Sequence, residues 1–338
     1  MAGSLPPIER PETARPRSDG SPGADAEPAV PTREELEQIE AQLVELAALA
    51  GATAREDAAL GASLVRWPGR GPALNHAERV RWSADAADML RHLERLSAAL
   101  RPSADRPAIL VAHGLTEPHD LAERLSALGW HATLHELILW TRTAAAVPHL
   151  DPLMRIEAVT RSTAPVYEAL ERVIFGLEGS LAEVRLAAIE RALAAGRLRA
   201  YLVRVVEEPV ATARLWTFGD LACLDGVGVV PQARRRGYGT LVTTIATRAA
   251  LATGHRLVWL EVACENATAR RMYERLDYRP AFEWDLWVED LGRSRDPERT
   301  QEAWRGPGSG RRGEGRSPLS GDMGSGILAV SRAKPTWR

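Results

Sequence analysis

Apolar residues return every three to four positions along Leu36, Ile39, Leu43, Leu46 and Ala50, and that spacing predicts an amphipathic helix with one buried face. Thr32 stands where its hydroxyl caps the first turn, with Glu35 as the reciprocal acid of a capping box. A second such helix is predicted over Ala86–Leu100, where Met89, Leu90, Leu93, Leu96 and Leu100 are apolar. The short apolar run Ala108–Ala112 reads as a strand, followed by a helix over His119–Leu128. Further on, the alternation in Met154–Val159 predicts a strand, and helices follow over Ala164–Phe175 and Leu181–Ala195. Strands over Leu198–Val206, Val210–Thr217 and Leu221–Val230 come next, parted by turns at Glu207-Glu208-Pro209 and Phe218-Gly219-Asp220. A helix over Thr240–Ala252 stops at Gly254, and a strand over Leu257–Val262, a helix carrying Tyr273 and a last strand complete the pattern.

Part of this pattern repeats. Leu128-Gly129-Trp130 matches Leu276-Asp277-Tyr278 at an offset of 276 − 128 = 148 residues. The same offset lays Ile109-Leu110-Val111 on Leu257-Val258-Trp259, and His135–Trp140 on the strand Glu283–Val288. Strand, helix, Leu-x-aromatic, strand is thus expected twice, the first time in a truncated or degenerate copy.

With 338 residues, 45% of them hydrophobic, the chain has room for two ordinary domains with real cores. Residues 1–31 and 293–338 are Pro/Gly/Ser-rich without periodic apolar positions, which predicts disordered ends around domains at 32–150 and 153–292. A net charge of −2 gives no chain-wide attraction to nucleic acid or to an anionic membrane. Arg311, Arg312 and Arg316 in the tail are interspersed with acids and lack aromatic neighbours, so they read as a solvated segment and no nucleic-acid partner is expected. The two cysteines, Cys223 and Cys264, lack the paired spacing of a zinc or redox motif, and a disulfide framework is not expected. No apolar run is long enough to span a bilayer, so the expected location is the cytoplasm, with no membrane partner. His76, His113, His119, His131 and His135 are scattered without metal-ligand spacing, and no metal is expected.

The chemistry concentrates in Val229-Val230-Pro231-Gln232-Ala233-Arg234-Arg235-Arg236-Gly237-Tyr238-Gly239-Thr240, where an apolar strand ends in a glycine-punctuated turn opening a helix. Glycines let several N–H groups converge, the helix start adds partial positive charge, and arginines suit phosphate, so the segment reads as an anion cradle. The spacing is neither a P-loop nor a dinucleotide fingerprint. In the first half Pro68-Gly69-Arg70-Gly71-Pro72 is glycine-rich, but its prolines remove donors and make it a poor phosphate nest.

Strand, Pro-x-x-Arg-x-x-Gly-x-Gly, helix resembles the acyl-CoA-binding signature of the GNAT family of N-acetyltransferases. A second signature lies downstream in Leu260-Glu261-Val262, Asn266, Ala269, Tyr273 and Leu276-Asp277-Tyr278. It is similar to Leu-x-Val-x-x-x-Asn-x-x-Ala-x-x-x-Tyr-x-x-x-Gly-Phe of relatives, departing where Asp277 replaces Gly and Tyr278 replaces Phe. The resemblance implies an α/β (α+β) GNAT fold, a mixed and mostly antiparallel sheet flanked by helices, for residues 153–292. The smaller α/β half at 32–150 would be a degenerate GNAT-like copy. It further implies an acyltransferase that moves an acetyl group from acetyl-CoA to a primary amine on a small molecule or a protein. The first half, without the cradle, is expected to pack, shape or dimerise without binding acyl-CoA itself, which makes a homodimer a candidate assembly.

By the same resemblance, N–H groups of Arg235, Arg236, Gly237, Tyr238, Gly239 and Thr240 take the pyrophosphate, with Arg234 supporting the turn. The edge of Val227, Gly228 and Val229 pairs with the pantetheine arm, and an N–H near Val229 polarises the thioester oxygen. Asn266 is either a contact to the cofactor arm or an ordinary N-cap, roles that are compatible. Tyr273 is either the acid that protonates the departing thiolate or aromatic packing. The base is open: Cys223 stands where many relatives have Glu, and Asp225, Glu261 or a water chain is left to serve. That substitution also admits a non-catalytic module that binds acyl-CoA and regulates a partner.

Overall fold

The computed structural model describes residues 30–102, 106–148, 152–177 and 179–290. The predicted disordered ends, apart from Val30 and Pro31, and the tail arginines lie outside the described residues. The first half holds α1 (Arg33–Ala50), β1 (Thr53–Asp57), β2 (Ala62–Arg66), β3 (Asn75–Glu78), α2 (Ala86–Leu100), β4 (Ala108–Ala112), α3 (Leu121–Ala127) and β5 (His131–Thr141). The second holds β6 (Met154–Ala158), α4 (Ala164–Phe175), α5 (Ala182–Ala194), β7 (Leu198–Val205), β8 (Glu208–Phe218), β9 (Leu221–Val229), α6 (Tyr238–Ala252), β10 (Leu257–Ala263), α7 (Ala267–Arg275) and β11 (Arg279–Val288).

The capping box at Thr32 and Glu35 is present, and α2, β4 and α4 have their expected limits. Other limits move. β8 begins at Glu208 and takes in Pro209, which the ladder tolerates at a register shift against Val203 and Arg204. β5 is longer than expected, starting at His131, because its N-terminal half pairs with β11 while its polar side chains hide the strand pattern. Strands β1 to β3 were not expected at all. Asn75, His76 and Glu78 are polar yet buried, so β3 carries no apolar alternation. Pro68–Pro72 therefore belongs to the β2–β3 connection, and the true counterpart of the cradle is the turn from Arg79 to Asp85 that enters α2. There the Asp85 side chain accepts from the Asp88 N–H, filling the helix start with an acid.

All eleven strands form one mixed sheet in the order β1-β2-β3-β4-β11-β5-β10-β9-β8-β7-β6. Pairing is antiparallel except at β3–β4 and β9–β10. Apart from β6, which stands alone at one end, the order reads the same from both ends when β1, β2, β3, β4 and β5 are exchanged with β7, β8, β9, β10 and β11, the parallel pairs included. Glu136 lies opposite Trp284, its own mate at the 148-residue offset, so a local two-fold axis passes between them. The register corrects the offset for the earlier strands. Ile109 faces Trp287 as Leu260 faces Leu139, so β4 and β10 are related by 260 − 109 = 151 residues, and the first copy is three residues longer between strand and helix.

Strand alternation divides the core. On one face α1, α4 and α5 cover Ile138, Trp140, Trp259 and Trp284 through Ile39, Leu43, Leu46, Tyr167, Ile174, Phe175 and Ile189. On the other, α6 and α7 cover Leu137, Leu139, Leu260 and Val262, while α2 and α3 cover Ile109 and Val111. Helix α1 is fastened to the second half. Trp259 Nε1 donates to Gln42 Oε1 at 2.7 Å, and buried Glu35 accepts from Arg142 at 2.9 Å and from Arg256. Burial of Ile39, Leu43 and Leu46 contributes roughly 1.5–3 kcal/mol each. Among the described residues no helix is long and apolar enough to cross a membrane.

Candidate active site

At the end of β9 a 3-10 turn over Pro231–Ala233 tucks Ala233 into the core and throws Arg234, Arg235, Arg236 and Gly237 out to solvent. Arg235 has φ 64° and Gly237 φ 85°, while Arg236 between them stays on the ordinary side. That alternation curls successive N–H groups toward one concavity. Helix α6 starts at Tyr238, two residues before the expected Thr240, with Gly237 as a cap that offers no side-chain acceptor. The first-turn N–H groups, those of Tyr238, Gly239 and Thr240, have no acceptor within the helix and the partial positive charge of its start lies there. Arg234 Nε donates to Val229 O at 3.3 Å, tying the turn to the strand end. The Tyr238 side chain is buried in the core, so only its main chain faces the concavity.

Beside this turn the sheet opens. Parallel pairing of β9 with β10 runs from Leu221 and Leu257 to Leu224 and Leu260 and then stops. The cause is a bulge: Thr212 faces Gly228 while Arg214 faces Asp225, which leaves one extra residue on β9, with Gly226 at φ 60°. Thr212 Oγ1 donates to Gly226 O at 3.0 Å and holds the bulge. A Cβ on Gly228 would lie 2.3 Å from Ile174 Cγ2 and 2.8 Å from Phe175 Cζ, so α4 presses on the strand where only glycine fits. The Val230 N–H is bonded to Val210 O at 2.9 Å on the β8 side. Successive strand amides point to opposite edges, so the Val229 N–H faces the edge that β10 has left.

Asp225 and Glu261 are on the face covered by α1, where Leu43, Leu46, Cys223, Leu224, Asp225, Trp259 and Glu261 line a small cavity. Asp225 Oδ2 meets Arg214 Nη2 at 2.8 Å and its Oδ1 accepts from the Gly226 N–H at 2.6 Å. Arg214 also lies 3.4 Å from Glu171, which accepts from the Tyr167 hydroxyl at 2.8 Å. The Asp225 carboxylate is thus spent on a buried ion pair. The Cys223 thiol is pushed up by burial, then by the charges of Asp225 and Glu261, and holds its proton.

Glu261 differs. Burial pushes its carboxyl well above the usual range, reinforced by the negative charges of Glu136 and Asp225. Its Oε2 accepts from Trp284 Nε1 at 3.2 Å. Glu136, opposite Ala263 on β5, is its diagonal neighbour on the same face and is pushed up to about 8, first by burial and then by Glu265. Glu136 was not singled out from the sequence. The signal was present in the polar position of His135–Trp140, but only the pairing of β5 with β10 brings it to Glu261.

Tyr273 lies on the opposite face, buried, with its ring 5.8 Å from that of Tyr278. Burial and then the Asp225 charge push its phenol up, so it is protonated at neutral pH. Asn266 Oδ1 accepts from the Ala269 N–H at 3.1 Å, the N-cap role.

Residues 167–278 match the model of the Acetyltransferase (GNAT) family, a span that starts inside α4 and ends at Tyr278. Among solved structures, the chain is similar to a GCN5-related N-acetyltransferase from Kribbella flavida, with a TM-score of 0.54 and 21% identity over 74% of this chain and 95% of that one. It is also similar to a tandem GNAT protein from the clavulanic acid biosynthesis pathway, with a TM-score of 0.52 and 17% identity over 69% of this chain and 80% of that one. At these identities the likeness is one of fold. No curated protein matches the chain.

Proposed function

Residues 167–278 form a GNAT acetyltransferase-family domain, and from that premise we propose that the chain transfers an acetyl group from acetyl-CoA to a primary amine. The observation that carries the proposal is the open edge of β9 beyond Leu224, lying beside a glycine-capped helix start. The pyrophosphate is held by N–H groups from Arg235 to Thr240, and the pantetheine arm adds to the edge at Val227–Val229 as an extra strand would. The amine nitrogen attacks the thioester carbon, and the Val229 N–H stabilises the oxyanion. The tetrahedral intermediate then collapses with loss of the C–S bond. Tyr273, still protonated, gives its proton to the departing sulfur.

The proton lost by the amine goes to the Glu261 and Glu136 pair once the pair has itself released a proton, a form that gains population as pH rises toward about 8, so transfer rises with pH over that range. A carboxyl raised toward neutrality is better matched to an ammonium than an ordinary one, whereas Asp225 is neutralised by Arg214 and Cys223 keeps its proton. The domains proposed are the degenerate copy at 32–150 and the catalytic one at 153–292.

The test is transfer from labelled acetyl-CoA to a panel of amines, with calorimetry against CoA. Transfer that is lost in Gly237→Glu, together with CoA binding, supports the enzyme. Absence of CoA binding by the unaltered chain overturns the proposal. Because Asp225 is committed to Arg214, a second reading is a regulatory module, and tight CoA binding with no transfer to any amine is its signature.

A further inference from the structure

On the sheet face opposite Glu136, between the α2/α3 layer and the α6/α7 layer, a second polar cluster has no part in the transfer described above. His135 on β5, Cys264 just past the end of β10 and Glu283 on β11 each aim one donor atom at a common point, all within 4.8 Å of one another. His135 Nε2 is 2.9 Å from Glu283 Oε2. The main chain fixes these positions. The Cys264 N–H donates to His135 O at 3.0 Å, and Asp285 stands directly opposite His135 in the β5–β11 register.

Two further polar side chains stand behind them. Asp285, only 9% exposed, has Oδ1 3.7 Å from His135 Nδ1, while its Oδ2 meets His113 Nε2 at 2.9 Å. At 3.7 Å the Asp285 carboxylate places its charge beside the far nitrogen of His135 without bonding to it, and a small side-chain shift on metal binding would close that gap and fix the tautomer that leaves the near nitrogen free to ligate. A His-Cys-carboxylate set of mixed N, S and O donors suits zinc, and three protein ligands leave the fourth position open. In a tetrahedral zinc site, bonds of about 2.0–2.3 Å put neighbouring ligand atoms roughly 3.3–3.8 Å apart, within reach of side-chain adjustment alone.

We propose that His135, Cys264 and Glu283 bind one zinc-class divalent cation, oriented by Asp285 and His113, and that the ion ties β5 of the first half to β10 and β11 of the second. This departs from the expectation of no metal, which rested on sequence spacing; ligands drawn from three neighbouring strands have no sequence spacing to read. The site is independent of acyl transfer.

The experiment uses the full chain without an affinity tag, stripped with chelator, then titrated with Co²⁺ in the near-ultraviolet and with Zn²⁺ by calorimetry. One ion per chain, a thiolate-to-cobalt charge-transfer band and a rise in melting temperature with Zn²⁺ are expected. Cys264→Ser removes the band and His135→Ala removes tight binding, whereas Cys223→Ala, altered on the other face, keeps both. Asp285→Asn weakens Zn²⁺ roughly 10–100-fold while leaving all three ligands in place. His135 and Glu283 are exposed side chains, so their variants retain the core, and unchanged melting without metal verifies this. The inference is overturned by the absence of stoichiometric binding, or by binding that survives in both Cys264→Ser and His135→Ala.

Discussion

Glu136→Gln isolates the cost of ionising one carboxyl that burial, and then the charge of Glu265, hold protonated. The unfolded carboxyl titrates near 4.5, the folded one at about 8. Between these values the folded chain holds a proton that the unfolded chain has released, so stability falls as pH rises through the window from 4.5 to 8. At about 1.4 kcal/mol per unit, the full span corresponds to an upper limit of roughly 5 kcal/mol at pH 8 relative to pH 4.5. Glutamine keeps the shape and cannot ionise, so the variant loses this share of the slope and gains stability at pH 8. Urea unfolding followed by tryptophan fluorescence at pH 5, 6.5 and 8 measures both slopes. The wild-type midpoint should drop with pH more steeply than that of the variant, with the gap widest at pH 8. Parallel profiles would refute the reasoning, because they would mean that Glu136 ionises in the folded chain as readily as in the unfolded one.

Arg214→Leu strands the buried carboxylates of Asp225 and Glu171, and the expected loss is about 3–5 kcal/mol, read as a lower urea midpoint; an unchanged midpoint would show that the pair is dispensable. Gly239→Ala puts a Cβ 3.3 Å from Met272 Sδ, a flexible neighbour, so folding is little affected, whereas CoA affinity by calorimetry falls at least about tenfold if the ligand approaches this main chain closely. Tyr273→Phe is expected to lower kcat by roughly 10²–10⁴-fold with CoA affinity intact. Wild-type turnover in that variant would assign the ring to packing alone.

Much of the second half was legible because its signals are local. The cradle is written in consecutive residues, and α4, with Pro165 in its first turn and Gly176 at its C-cap, has its expected limits. The strands β1 to β3 were not legible: β1 has no buried position, and β3 is buried although Asn75, His76 and Glu78 are polar. Asp225 and Glu261 look equivalent as sequence positions. They separate only when Arg214 arrives across the β8–β9 bulge to occupy one, while burial, and then the charge of Glu136 from β5, raises the other. The 148-residue echo was correct where Leu-x-aromatic anchors it and three residues out where an apolar strand has no landmark.

The two-fold arrangement gives the first half a structural part in the second. Its own helix start is filled by Asp85, an acid where the second copy has bare glycine at Gly237, and a phosphate would meet negative charge there. Yet β5 is wedged between β10 and β11, which are consecutive strands of the second half, and without it both would lose a neighbour along their length. The same strand brings Glu136 to Glu261, and α1 brings Leu43 and Leu46 to the wall of the cavity. A change on β5 therefore acts on the second half directly, at its sheet and its acid pair together. The first half is thus held to the second by what its strand and helix supply, whatever stands at its own helix start.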